Sequence, residues 1–156
     1  VCTASGSQTV MATATNMASG TCLSPISGTL HGPYAPEVST PSGPCFVTNA
    51  VTVTIDLGGI PITLRDARVA ATYVGNPATT LSNGLLMGFI SEADANATII
   101  PSSFPLVGGD PLSSLLPGGN GNCRNSVPHS DKDVNNAVMG WWFYLNFPAV
   151  RRPFSG

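Results

Sequence analysis

Apolar and polar residues alternate most regularly between Val51 and Leu57, where Val51, Val53, Ile55 and Leu57 are separated by Thr52, Thr54 and Asp56. A repeat of two places the two sets on opposite faces of a half-buried strand. Gly58-Gly59 follows, a pair that enters positive φ without steric cost and suits a two-residue hairpin turn. The return strand is Ile60 to Leu64, with Ile60, Ile62 and Leu64 on one face. Arg65 to Arg68 then leads into a second β-prone run, Val69 to Val74, which Gly75-Asn76-Pro77 closes. The pattern predicts an antiparallel core hairpin over residues 46–75.

Before this hairpin the chain is rich in small and hydroxyl side chains. Residues 1–45 read as a Ser/Thr/Pro-rich arm, with loose alternation from Ser7 to Thr15 and a short strand at Thr29 to His31. Pro33, Pro36, Pro41 and Pro44 confine the rest of the arm to loop or sheet-edge positions, because proline cannot donate to a ladder.

After the hairpin, residues 85–117 read as a helical cover. Leu85 to Ile90 is continuously apolar, and Ser91-Glu92-Ala93-Asp94 has the form of a capping box with Ser91 as N-cap. A short helix from Glu92 to Ile99, stopped by Pro101, is expected. Asp110-Pro111 predicts a second start, with Leu112, Leu115 and Leu116 on one face before Pro117-Gly118-Gly119. Helices this short must pack on the sheet to persist. Residues 140–148 read as an aromatic strand, since five of the seven residues from Trp141 to Phe147 are aromatic. Alternation assigns Trp141, Phe143, Leu145 and Phe147 to the core, and Trp142, Tyr144 and Asn146 to the opposite face.

Composition changes the picture. Only 9% of the 156 residues are charged, against about 25% in ordinary domains. Lys132 is the only lysine, and the formal net charge is −2. The arginines are scattered apart from Arg151-Arg152, so no basic stripe exists to neutralise a nucleic-acid backbone. No apolar run approaches the roughly 20 residues of a membrane helix. The start at Val1-Cys2 suits a mature, processed product or a piece cut from a longer chain.

Cys2, Cys22, Cys45 and Cys123 are even in number and lack C-x-x-C spacing, which favours two disulfides over a zinc site. Four cysteines allow three pairings. Cys2–Cys22 with Cys45–Cys123 is expected, since the first would staple the apolar-poor arm and the second would tie its end to a late Gly/Asn loop. Asn96-Ala97-Thr98 is an acceptor pattern for N-glycosylation.

Candidate chemistry is sparse. Asp131, Asp133 and Asn135 alternate as oxygen donors, as in a tight calcium loop, although Asn136 and Trp142 stand where an EF-hand needs glycine and a bidentate acid. Ca2+ is therefore the cofactor to consider, against the plainer reading of a polar turn. Trp142 and Tyr144 could line a glycan platform or a protein contact, against the plainer reading of core packing. No nucleophile elbow, P-loop, dinucleotide fingerprint or H-E-x-x-H motif is present. His129 beside Ser126, Ser130 and Asp131 is the weakest hint of a hydrolase. A transition-metal site from His31, His129 and Asp131 or Asp133 has no spacing that demands it. Asp66 is expected to balance Arg65 or Arg68, and Asp94 and Asp110 to cap helices.

The elements Leu81 to Ala93, Leu116 to Gly119, Asn122-Cys123 and Gly140 to Phe147 resemble the C-terminal part of uncharacterised secreted or lipid-anchored bacterial proteins. The resemblance spans under half the chain. It implies an envelope or exterior location and brings no activity or catalytic residues.

Together these readings predict one extracellular domain over residues 1–156, mainly β and antiparallel, sandwich-like, with two short helices and disulfide staples. The expected function is a non-catalytic structural or adhesive module that self-associates as a homo-oligomer or polymer, as in a surface layer, filament or matrix. The alternative is a module binding a glycan or small ligand, with calcium assisting. No nucleic-acid partner and no membrane span are expected.

Overall fold

The computed structural model describes residues 12–32, 34–119 and 130–150. Seven strands are found: β1 (Ala14–Met17), β2 (Cys45–Thr48), β3 (Val51–Leu57), β4 (Ile60–Val74), β5 (Thr80–Ser91), β6 (Asp133–Asn135) and β7 (Val138–Val150). They form one antiparallel sheet in the order β1-β2-β4-β5-β7-β6, with β3 paired to β4. The mainly β expectation holds. The described strands belong to this one sheet, and no second sheet faces it among the described residues.

The β3–β4 hairpin forms as the alternation predicts. Gly58 and Gly59 have φ of 69° and 94°, the two positive values a type I′ turn demands. Asp56 accepts the Gly59 backbone N–H at 2.7 Å, and the Thr54 and Thr63 hydroxyls meet across the strands at 3.1 Å. β4 then runs unbroken to Val74, so Val69 to Val74 extends the return strand.

β6 and β7 form a second hairpin through Asn136 and Ala137, which also take positive φ (50° and 64°). Asparagine tolerates this conformation, whereas alanine suffers its Cβ–carbonyl clash. Ala137→Gly is therefore expected to stabilise the protein by about 0.5–1 kcal/mol, read as a higher urea midpoint at unchanged m. A lower midpoint would show that the turn does not keep this geometry in solution.

Two expectations for residues 85–117 need correction. Leu85–Ser91 is the end of β5, a strand rather than part of a helical cover. β5 lies between β4 and β7, and Leu85, Met87, Phe89 and Ile90 are all buried. A central strand covered on both faces carries an unbroken apolar run, which periodicity alone cannot separate from a buried helix. The first helix, α1 (Glu92–Ala97), starts at Ser91 as predicted, and Thr98 takes an extended conformation that ends it. The second is a single 3-10 turn, Leu112–Ser114, capped by Pro111 without a side-chain hydrogen bond. Ile100 N–H donates to the Asp110 carbonyl at 2.9 Å and Leu112 N–H to the Thr98 carbonyl at 2.8 Å. This short ladder fixes Pro111 as extended chain and leaves only one turn to wind. Leu112 is buried, but Leu115 is exposed.

In the arm, β1 is limited to Ala14–Met17, and the earlier part of the predicted strand lies outside the described residues. No strand forms at Thr29 to His31. The described disulfide also differs from the expected pairing: Cys22 is bonded to Cys45, 23 residues on. Cys22 N–H donates to the Pro41 carbonyl and Gly43 N–H to the Gly20 carbonyl, both at 2.8 Å. Those bonds bring the two sulfurs together, so neither Cys2–Cys22 nor Cys45–Cys123 is formed. Cys2 and Cys123 lie outside the described residues.

The chain divides into two compact units. Among the described residues, one comprises 52–66, 89–119 and 130–142, and the other 12–32, 34–51, 67–88 and 143–150. β4, β5 and β7 contribute residues to both. In the first unit the core is Ile62, Leu64, Phe89, Ile90, Ala95, Ile100, Leu112 and Trp141; in the second it includes Leu23, Cys45, Ala67, Ala70, Ala71, Leu85 and Met87.

Candidate functional site

In the first unit, polar side chains gather around α1. Ser91 Oγ accepts the Asp94 backbone N–H at 3.0 Å and donates to the Asp94 carboxylate at 2.6 Å. Arg65 adds a two-pronged contact to the same carboxylate, at 2.7 and 3.1 Å. Arg65 Nε–H holds the Asp94 carboxyl below the usual carboxylate range, with Ser91 helping and partial burial opposing. Arg65 thus hydrogen-bonds Asp94, and Asp66 acts on it, as expected, only through its charge. The Asp66 carboxylate accepts instead from Asn135 at 2.6 Å and Asn136 at 3.4 Å. Asp110 was expected to cap a helix, and its side chain makes no capping bond.

The sequence-predicted calcium residues sit differently from a tight loop. Asp131 precedes β6, while Asp133 and Asn135 lie on that strand. Pairing to β7, Asp133 with Gly140 and Asn135 with Val138, stretches this segment out. The Asn135 amide is committed to Asp66. Among the described residues, no group of three or more His, Cys, Asp or Glu side chains could hold a metal ion. His129 and Ser126 lie outside the described residues, and His31 is exposed on the arm. Asn96 is exposed on α1, and its side-chain carbonyl accepts the Ser113 hydroxyl.

Lys132 donates to Glu92 at 2.6 Å, and its Nζ lies 5.4 Å from the centroid of the Trp141 ring. Trp141 in turn donates its indole N–H to the Pro117 carbonyl at 2.9 Å. The single lysine is therefore used inside the fold. Trp142, proposed as a contact residue, meets Phe89 edge-on, with ring centroids 5.4 Å apart.

In the second unit, Tyr144 and Asn146 hold the chain between Ile26 and Ser39. Ile26 N–H donates to the Tyr144 hydroxyl at 3.2 Å. The Thr29 hydroxyl donates to the Ile26 carbonyl at 2.8 Å, so the Tyr144 proton goes to Thr29. The three groups close a ring, which accounts for the burial of the Thr29 side chain. Two residues further along β7, Asn146 accepts Ser39 N–H at 2.8 Å and donates to the Glu37 carbonyl at 2.7 Å. An asparagine amide has the donor and acceptor of a peptide group, so it substitutes for a neighbouring strand here. The Tyr144 hydroxyl, read from the sequence as a ligand or subunit contact, is engaged within its own chain.

That held segment encloses a groove of about 560 Å³, which the sequence did not reveal. Tyr34, Glu37, Ser27 and Thr40 face it together with Ile26 and Leu30. Two polar-tipped side chains at i and i+2 within an otherwise apolar strand, Tyr144 and Asn146, were the available signal.

At the β6 edge, Val134 stands opposite Met139. Val134 is 63% exposed and Met139 44%, and Val138 beside them is also 44% exposed. No helix among the described residues is long and apolar enough to cross a membrane. No protein-family model matches the chain, and neither a curated protein nor a solved structure matches it.

Proposed function

We propose that this protein is a non-catalytic extracellular structural or adhesive module whose copies associate through the β6 edge. The observation that carries the reading is the exposed Val134–Met139 pair on a strand that ends the sheet among the described residues. Apolar side chains on an edge strand recruit another strand unless lysine, proline or a cover blocks them. β6 contains neither lysine nor proline, and the only lysine is tied to Glu92. A second copy is the occupant that fits, because two like edges pair antiparallel about a twofold axis. The near absence of charge also removes the usual repulsion between copies. The Cys22–Cys45 bond is compatible with an oxidising, exterior compartment.

Sedimentation velocity over a range of concentrations tests this. The wild type should form dimers or larger species. Val134→Lys should be monomeric with an unchanged melting temperature, since exposed substitutions seldom shift stability beyond about 0.5 kcal/mol. A wild type that stays monomeric at the highest soluble concentration overturns the reading.

A further inference from the structure

We infer that Leu106 is a docking knob that seats in the apolar pocket beside the β4–β5 connection of a second copy of this chain. Resting on the association proposed above, such a contact extends it. Like edges that pair about a twofold axis close at two copies, so a structural assembly needs a second, unlike contact to grow. A protruding side chain on one surface and a hole on another make a contact of that kind.

Leu106 carries two costs that the fold does not need. Its φ is 71°, where the leucine Cβ crowds the following carbonyl and glycine alone is at ease. Its side chain is 102% exposed, so a large apolar group stands entirely in water. Single exposed leucines are ordinary; one held out by an unfavourable backbone is an outlier that points to function. The loop beneath it is fixed. Gly108 N–H donates to the Phe104 carbonyl at 3.0 Å, closing a turn around Leu106, and Gly109 N–H donates to the Ile100 carbonyl at 2.9 Å. A Cβ added at Gly108 would lie 2.8 Å from the Phe104 carbonyl oxygen, so the turn is tight.

The pocket belongs to the second unit, where the chain leaves β4 and enters β5. Tyr73, Ala78, Thr79, Thr80, Leu81 and Val150 line about 230 Å³, and all six are uncharged. Thr79 N–H donates to the Val74 carbonyl at 3.0 Å, and the Tyr73 hydroxyl donates to Asn16 at 2.7 Å. Two walls are therefore set before anything binds, which lowers the ordering cost. The space is smaller than drug-sized sites, which begin at about 300 Å³, and suits one branched aliphatic side chain. Val150 is 59% exposed, apolar surface that a seated leucine would cover. One buried leucine is a weak link, with a dissociation constant on the order of 1 mM. Between copies already paired through β6, the same link forms at raised effective concentration and becomes effective.

Two measurements test the contact, the first without edge pairing. Isotope-labelled protein carrying Val134→Lys and Leu106→Gly, which keeps the pocket, is titrated by NMR with unlabelled Val134→Lys protein. Amide shifts at Ala78 to Leu81 are expected, saturating in the millimolar range, and titrant that also carries Leu106→Gly should produce none. Absent shifts, or equal shifts from both titrants, overturn the inference. The second measurement is sedimentation velocity with the β6 edge intact. Leu106→Gly alone, and Ala78→Trp alone, which plugs the pocket from an exposed position, should each stop at the pair. Leu106→Gly should also melt about 2 °C higher, since it relieves the backbone. An equimolar mixture of the two variants should again exceed the pair, because one supplies pockets and the other knobs. A wild type that stops at the pair, variants that grow as it does, or a mixture that stays at the pair overturns the inference. A monomeric wild type that still gives the amide shifts removes the β6 reading and leaves this contact standing.

Discussion

Phe89→Ala is expected to destabilise the protein by about 3–5 kcal/mol, the usual cost of emptying a buried phenylalanine site. Phe89 is 1% exposed, and its ring meets Trp142 edge-on, a geometry that adds about 0.5–1.5 kcal/mol beyond area burial. Its ring also occupies the space beside Gly140, where an added Cβ would lie 2.7 Å from it and collide with the Ile90 carbonyl. The missing side chain at Gly140 and the large one at Phe89 are therefore one packing solution on β5 and β7. Alanine at 89 leaves a void that no neighbour can fill without moving backbone. Urea unfolding followed by tryptophan fluorescence reads the loss. A cost below about 1 kcal/mol would mean that the site collapses freely and is not a packed core.

The second large effect is expected on removing the Cys22–Cys45 bond. Its ends lie 23 residues apart, and closing a loop of that size constrains the unfolded chain by about 3 kcal/mol. The enclosed segment contains five prolines and no strand of its own among the described residues, so the bond is a main restraint on its order. Cys22→Ala with Cys45→Ala should lower stability by about that amount, and protease should then cut between residues 25 and 40 first. Equal stability and equal proteolysis in the double variant would show that the Tyr144 and Asn146 anchors suffice alone.

How much was legible in the sequence depended on whether a signal was local. The period-two run at Val51–Leu57, Gly58-Gly59 and the Ser91–Asp94 cap are each specified within a few residues, and each formed as read. β7 was found as well, because an aromatic run has few other places to go. The errors share one cause: the deciding partner was distant in sequence. β5 looked like a helical lead-in because its burial comes from β4 and β7 on either side. The turn at Leu112 was shortened by a ladder to Thr98 and Ile100. Asp66 does act on Arg65 through its charge, but its hydrogen bonds come from Asn135 on β6. Disulfide pairing was misjudged for the same reason, since the 20–22 and 41–43 segments that align Cys22 with Cys45 have no strand signature. The groove was invisible because loop walls carry no periodicity.

The position of Lys132 has a practical consequence. With its ammonium held between Glu92 and the Trp141 ring, the molecule offers aldehydes and activated esters no freely projecting side-chain amine. Fixatives, glycating sugars and amine-coupled supports would therefore react slowly at its side-chain amine.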